Sequence, residues 1–141
     1  MQNKANCVLC KIAKHEVDAA IVCENDHIIA ILDRFPATRG HVLILPKEHI
    51  ENIYEMPVET GMEIMRIAIS VCNGIKLILR PDGLNLIQAN GEAGGQTIDH
   101  FHLHIVPRYN NDSVILKFGH GSVPADRNEL INTAAAVRRA L

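Results

Sequence analysis

The feature that most limits the possible folds is one long apolar segment, from about Val58 to Arg80, in a chain of 141 residues. Its apolar residues recur at steps of three and four, which is the spacing of a helix face. Pro57 suits the first turn of such a helix, and the Pro-Asp-Gly sequence at 81–83 would end it. At ~1.5 Å per residue the helix would extend roughly 34 Å, enough to cross a small sheet.

The expected helix is apolar on more than one side. One face carries Met62, Met65, Ile69, Cys72, Ile75 and Leu79, and the other side carries Ile64, Ile67, Val71 and Ile78. A helix that is apolar around most of its circumference is buried on more than one face. We therefore expect it to pack against a sheet and to pair with the same helix of a second subunit, which predicts a homodimer.

Short segments rich in Ile and Val on both sides of this helix predict the sheet. They are Ala19–Cys23, His27–Leu32 and His41–Leu45 before the helix, and Gly83–Ala89 and Ile98–Tyr109 after it. Strands that occur in runs, rather than in strict alternation with helices, favour an α+β fold. We expect a five-stranded antiparallel sheet that helices cover on one face.

No repeat, low-complexity tract or linker divides the chain, so we expect a single domain over residues 1–141. Its core would span about 7–109 and begin with a short helix over Cys7–His15. The tail, residues 110–141, would end in an amphipathic helix that Asp126 caps.

The charge balance argues against two classes of partner. Fourteen basic and sixteen acidic residues give a net charge of −2, which removes the electrostatic case for a dedicated nucleic-acid binder or a polybasic membrane module. The first residues are polar, and no apolar run approaches the roughly 18 residues of a spanning helix. We expect a cytoplasmic protein.

Three of the eight histidines lie in one pentapeptide, His100-Phe101-His102-Leu103-His104. Alternation of imidazole with apolar side chains is typical of a strand with one buried face. The outer two histidines would be about 13 Å apart along such a strand. Two zinc-bound imidazole nitrogens are only about 3.4 Å apart, so all three histidines cannot bind one ion.

Three interpretations of these histidines remain: a solvated polar face, a metal site shared with other elements, or a nucleophilic imidazole with supporting imidazoles. The last is favoured because an imidazole with a pKa of ~6.5 is mostly neutral at pH 7 and can attack phosphorus. The preceding loop, Asn90–Thr97, contains three glycines whose backbone N–H groups could turn toward a phosphate. By itself, that loop is more typical of an ordinary hairpin connection, and the histidines that follow it directly are what favour a phosphate site.

Cys7 and Cys10 form a Cys-x-x-Cys pair. Two histidines from elsewhere would complete a closed tetrahedral Cys₂His₂ site of structural type. A thioredoxin-like redox pair should follow a strand, and only six residues precede Cys7. An accidental pair of buried cysteines is the third alternative.

These motifs resemble those of the histidine-triad (HIT) superfamily. Its motif, His-φ-His-φ-His-φ-φ with φ apolar, is met at 100–106. The resemblance extends to Gly95-Gln96-Thr97 before the triad, to Pro107-Arg108 after it, and to the segment 40–49. It covers roughly residues 7–109, and the chain is most similar to small bacterial members close to the purine-nucleoside phosphoramidase branch.

The resemblance implies an α+β homodimer that binds purine nucleotides and cleaves at the α-phosphate of AMP derivatives. His102 would attack the phosphorus and form a nucleotidyl-histidine. His104 and Thr97 would contact phosphate oxygens, with Gln96 and His41 in support. Nucleotide-binding positions would be Asp33 at the ribose hydroxyls, Asn90 and Gly95 in the phosphate loop, and Leu9, Ile12 and Ile31 around the base.

The resemblance also implies one structural zinc ion per chain, with the ligands Cys7, Cys10, His49 and His100. The substrate would be adenosine phosphoramidate, an aminoacyl-adenylate or a dinucleoside polyphosphate. One alternative is a nucleotide-binding adaptor with incidental turnover. A second is a hexose-1-phosphate nucleotidyltransferase, although that branch usually has glutamine where this chain has His104.

Overall fold

The computed structural model describes residues 6–116 and 124–141. The elements in chain order are α1 (Val8–Ala13), β1 (Ile21–Glu24), β2 (Ile28–Leu32), β3 (Val42–Pro46), α2 (Val58–Leu79), β4 (Gly83–Gln88), β5 (Leu103–Arg108) and α3 (Arg127–Ala140). Short 3₁₀ turns lie at Ile53–Glu55 and Glu92–Gly94. No helix in the described ranges is both long and apolar enough to span a membrane.

The five strands form one sheet in the order β1-β2-β3-β5-β4, and every neighbouring pair is antiparallel. The prediction of an α+β fold with a five-stranded antiparallel sheet is confirmed. The crossover through α2 and β4 places β5 beside β3, so His104 lies opposite Leu43. Strands from both halves of the chain therefore meet at the histidines.

Helix α2 packs across one face of the sheet. Its buried side chains join a core with residues of β2, β3 and β5 such as Ile28, Ile44 and Ile105. The sheet-facing residues of α2 are Ile64, Ile67, Ala68, Val71 and Ile75. Its outer side leaves apolar side chains exposed in the single chain, namely Met62, Met65, Ile69 and Ile78.

Helix α1 lies on the opposite face, where Leu9 and Ala13 pack against Ile29 and Leu45. Strands β2 and β3 are consequently buried on both faces, and only Leu32 among their residues is exposed. From the sequence we expected helices on one face only. The second layer is the short helix α1, which the sequence predicted without indicating the face of the sheet on which it packs.

The strand predicted at Ile98–Tyr109 begins only at Leu103. The N–H of Phe101 donates to the carbonyl oxygen of Ile50 at 2.6 Å, and the N–H of His100 donates to that of Ile98 at 2.8 Å. These bonds hold the first part of the segment outside the sheet ladder. The alternating pattern at 100–104 is thus only partly a strand.

Helix α3 begins after Asp126, whose side chain accepts a hydrogen bond from the N–H of Glu129 at 2.9 Å. This is the cap that the sequence predicted. None of the residues of α3 is buried in the single chain.

Candidate metal centre and candidate active site

Four potential metal ligands converge where α1 meets the ends of two strands. They are Cys7, Cys10, His49 and His100, and their sulfur and ring-nitrogen atoms all lie within 4.8 Å of one another. Cys7 caps the start of α1 and Cys10 lies in its first turn, so the helix directs both thiols to one point. Cys7 and His100 are fully buried and Cys10 is 4% exposed, whereas His49 is partly exposed at the edge of the cluster.

Hydrogen bonding orients the ring of His100 for metal binding. Its Nε2–H donates to the carbonyl oxygen of Pro46 at 2.8 Å, which leaves the lone pair on Nδ1. That Nδ1 lies 3.4 Å from the Sγ atoms of both Cys7 and Cys10. Burial lowers the pKa of His100 to about 4 and favours the neutral ring that a metal requires.

The distances fit a tetrahedral zinc site. Nδ1 of His49 lies 3.1 Å from Sγ of Cys10. Sulfur and nitrogen ligands of one zinc ion are about 3.6 Å apart, given metal–ligand bonds of ~2.3 and ~2.0 Å. The four residues can therefore hold a metal ion, and a set of four protein ligands leaves no position for a reactive water.

His102 lies immediately before β5, and its ring is fixed by the backbone. Its Nδ1–H donates to the carbonyl oxygen of His100 at 2.7 Å. In the neutral ring the lone pair is then on Nε2, the nitrogen available to attack an electrophile. The ring of His104 lies against it with a centroid distance of 4.8 Å.

His104 in β5 and His41, immediately before β3, form a hydrogen-bonded pair. Nε2 of His41 and Nδ1 of His104 are 2.9 Å apart. Burial lowers the pKa of His104 to about 4, and the neighbouring imidazoles His102 and His41 lower it further. Burial also lowers the pKa of His41, although the carboxylate of Asp33 opposes that shift. Near pH 7 the environment favours neutral rings in both residues.

Asp33 follows β2 and lies beside this pair. One of its carboxylate oxygens accepts a hydrogen bond from the N–H of Phe35 at 2.8 Å. The other is 3.6 Å from Nδ1 of His41. That same Nδ1 accepts a hydrogen bond from the backbone N–H of Ala37 at 3.0 Å. Nothing in the sequence marks Ala37, because a backbone donor leaves no side-chain signal.

The loop 90–97 is braced by its own amide side chains. Gln96 accepts from the N–H of Gly91 at 2.8 Å and donates to the carbonyl oxygens of Glu51 and Ile98. Asn90 accepts from the N–H of Ile53 at 2.8 Å. Both side chains shape the loop that leads into the histidines. Thr97, at its end, is exposed.

Gly95 has a φ of +86°, a left-handed conformation that glycine adopts without strain. It closes the 3₁₀ turn of the same loop. The three apolar residues expected around a base all belong to the cluster between α1 and the sheet. Within it Leu9 and Ile31 are 2% and 3% exposed, and Ile12 is half-buried.

A family model described as HIT domain matches residues 14–111 of this chain. The chain belongs to the HIT domain family. The predicted resemblance is thereby confirmed. Among curated relatives, the chain is similar to the protein named hit of Bacillus subtilis (strain 168), with 40% identity over 104 residues, 74% of this chain and 72% of that protein. It is also similar to the adenosine 5′-monophosphoramidase of Schizosaccharomyces pombe, with 33% identity over 107 residues, 76% of this chain and 77% of that protein.

Solved HIT structures show the same fold. A crystal structure of a HIT family protein from Bacillus anthracis has a TM-score of 0.86 and 34% identity, covering 96% of this chain and 97% of that one. A Zn-bound histidine triad family protein from Mycobacterium smegmatis has a TM-score of 0.75 and 30% identity, covering 99% of this chain and 100% of that one.

Proposed function

We propose that this HIT-family chain is a nucleotide-binding hydrolase that cleaves at the α-phosphate of AMP derivatives such as adenosine phosphoramidate. The observation that carries the proposal is the hydrogen bond from Nδ1–H of His102 to the carbonyl oxygen of His100. It leaves a lone pair on Nε2 of the buried His102 imidazole, beside the neutral His41–His104 pair.

The reaction would proceed in two displacements. Nε2 of His102 forms a bond to the α-phosphorus while the bond from phosphorus to the amine breaks, and the leaving amine takes up a proton. Positive charge that develops on the His102 ring is stabilised by its bond to the His100 carbonyl oxygen. Water then attacks phosphorus, AMP is released, and the neutral ring is regenerated.

Donors around the phosphate would stabilise charge and align the substrate. His104 would donate from Nε2 to a phosphate oxygen, because its Nδ1 is already paired with His41. Thr97, Gly95 and the loop braced by Asn90 and Gln96 would complete the phosphate contacts. We assign Asp33 to the ribose hydroxyls, and Leu9, Ile12 and Ile31 to the apolar wall nearest the base.

We also infer that Cys7, Cys10, His49 and His100 hold one structural zinc ion per chain. The donor set, of which three members are buried, and its spacing support this assignment, as does the Zn-bound relative of similar fold. Zinc would supply cross-linking and no step of the chemistry. A reducing cytoplasm would keep both thiols available as ligands.

A turnover assay tests the function. Purified parent protein and the His102→Ala variant are each assayed with adenosine phosphoramidate, diadenosine tri- and tetraphosphate, and a uridylyl sugar. We expect the phosphoramidate to be hydrolysed to AMP fastest, and only by protein that retains His102. Binding of AMP without turnover of any substrate would contradict the hydrolase and favour a nucleotide-binding adaptor.

A further inference from the structure

The hydrogen-bonded rings of His41 and His104 have two possible proton arrangements, and the backbone N–H of Ala37 selects between them. The N–H of Ala37 donates to Nδ1 of His41 at 3.0 Å. A nitrogen that accepts a hydrogen bond carries no proton in the neutral ring, so the proton of His41 is on Nε2. Nε2 then donates to Nδ1 of His104, 2.9 Å away. The proton of His104 is consequently on its own Nε2.

In the opposite arrangement the proton of His41 is on Nδ1, and a carboxylate that could accept its hydrogen bond lies close by. A carboxylate oxygen of Asp33 lies 3.6 Å from Nδ1 of His41 and would favour a proton on that nitrogen. Nε2 of His41 would then accept, and His104 would have to donate from Nδ1. His104 would present a lone pair to the phosphate oxygen, which is repulsive. The Ala37 N–H opposes this state because it would face a second N–H.

The segment that carries Ala37 is anchored to the strand that carries His104. The buried hydroxyl of Thr38 donates to the carbonyl oxygen of Pro107 in β5. The N–H of His41 donates to the carbonyl oxygen of Thr38 at 3.2 Å. Just beyond β5, Tyr109 donates from its hydroxyl to the carbonyl oxygen of Arg39 at 3.1 Å. The segment that carries the Ala37 N–H is therefore held against β5, the strand that carries His104.

We propose that the backbone N–H of Ala37, anchored through Thr38, is a positioning group that sets the tautomers of His41 and His104. In these tautomers His104 offers Nε2–H to the phosphate. This inference rests on the proposed function, since it names what directs the phosphate-contacting proton of that site. Ala37 and Thr38 act only through His41.

The test combines ¹⁵N-histidine NMR with steady-state kinetics. A protonated ring nitrogen and a lone-pair nitrogen have well-separated ¹⁵N shifts, and the His41 signals are assigned with His41→Asn. In the parent we expect Nδ1 of His41 to show the lone-pair shift. An amide-to-ester replacement at Ala37 removes only its N–H. That protein should show a proton on Nδ1 of His41, with kcat for adenosine phosphoramidate lowered about tenfold and KM within about twofold.

A second pair of variants guards against misfolding of the ester protein. Thr38→Val removes the hydroxyl that bonds Pro107 and should shift the His41 tautomer and lower kcat. Thr38→Ser keeps the hydroxyl and should match the parent in both measurements.

A parent His41 with its proton on Nδ1 overturns the inference, as does an unchanged His41 tautomer in both the ester protein and Thr38→Val. An altered tautomer with parental kcat also overturns it. If the parent hydrolyses no nucleotide substrate, the proposed function fails. The ¹⁵N spectra of the parent and the ester protein still decide whether the Ala37 N–H sets the tautomer of His41.

Discussion

At the scale of single residues, the candidate chemistry depends on where one proton is held. His102 donates from Nδ1 to the His100 carbonyl oxygen, which leaves the lone pair on Nε2, the nucleophilic atom of the proposed mechanism. We expect His102→Ala to lower turnover by about 10⁴-fold or more, since no other group replaces a covalent nucleophile. Nucleotide binding should persist. Acid quench with α-³²P-labelled substrate should trap a nucleotidyl-protein in the parent and none in the variant.

Two control variants separate this role from a general effect on the histidines. His104→Asn should reduce turnover by a smaller factor, about 10²-fold, because it removes a hydrogen-bond donor and not the nucleophile. His27→Ala alters an exposed imidazole and should leave turnover unchanged. Covalent label on another histidine, or parental turnover in His102→Ala, would rule out the assigned role.

Gly40 is a second residue at which a single atom matters. Its φ is +88°, and an added Cβ would lie 2.3 Å from Cδ1 of Leu79. Gly40→Ala should therefore lower the free energy of unfolding by about 2 kcal/mol or more. Gly74→Ala is the matched substitution, because nothing lies within 4 Å of an added Cβ in the middle of α2. It should raise stability by about 0.5–1 kcal/mol. Urea denaturation of both variants measures the difference, and equal effects would refute the packing argument.

At the scale of elements, α1 depends on its surroundings. A helix of six residues is unstable alone, since isolated helices shorter than ~12 residues are marginal in water. We expect one zinc ion per chain, and loss of that ion in the Cys7→Ala, Cys10→Ala double variant. Its free energy of unfolding should fall by about 3 kcal/mol, which corresponds to a decrease in Tm of roughly 10 °C.

Elemental analysis of protein purified without added metal, together with thermal denaturation, checks this prediction. Cys23→Ala is the matched control, because Cys23 is an exposed cysteine of β1 outside the cluster. It should keep both the zinc and the Tm. A zinc content near zero in the parent would remove the metal assignment and leave His49 and His100 with hydrogen-bonding roles.

At the scale of the whole molecule, the outer side of α2 predicts a homodimer. Met62, Met65 and Ile69 are 68%, 48% and 58% exposed in the single chain, although the segment is otherwise a core helix. Pairing of two α2 helices about a two-fold axis would cover them, and joining the sheets edge to edge would cover an edge strand. Analytical ultracentrifugation at low micromolar concentration should give about twice the chain mass of 15.6 kDa.

A charged substitution tests which surface forms that dimer. Ile69→Glu should convert the dimer to monomer, because it would bury a carboxylate in an apolar interface. Val8→Glu introduces the same charge at a partly exposed position of α1, on the other face of the sheet. It should remain dimeric. A monomeric parent would refute the dimer, and a dimeric Ile69→Glu would move the interface elsewhere.

The sequence by itself determined the parts of this protein that depend on local periodicity and on side-chain type. The spacing of three and four residues predicted α2, and the Ile- and Val-rich runs predicted the sheet. Side-chain chemistry singled out Cys7, Cys10 and the triad histidines. The resemblance in the motifs added His49 to the ligand set, and the fold brings it together with the other three. Each of these signals is present in the residue itself or in its near neighbours.

Only the tertiary structure decided how the candidate sites are assembled. Strand β5 begins at Leu103, and not at Ile98, because the Phe101 N–H bonds to Ile50, about fifty residues earlier in the chain. Which ring nitrogen of His41 carries the proton depends on the backbone N–H of Ala37. Backbone donors are the same in every residue except proline, so no pattern in the sequence marks them. Their partners are set by long-range contacts that exist only once the sheet has formed.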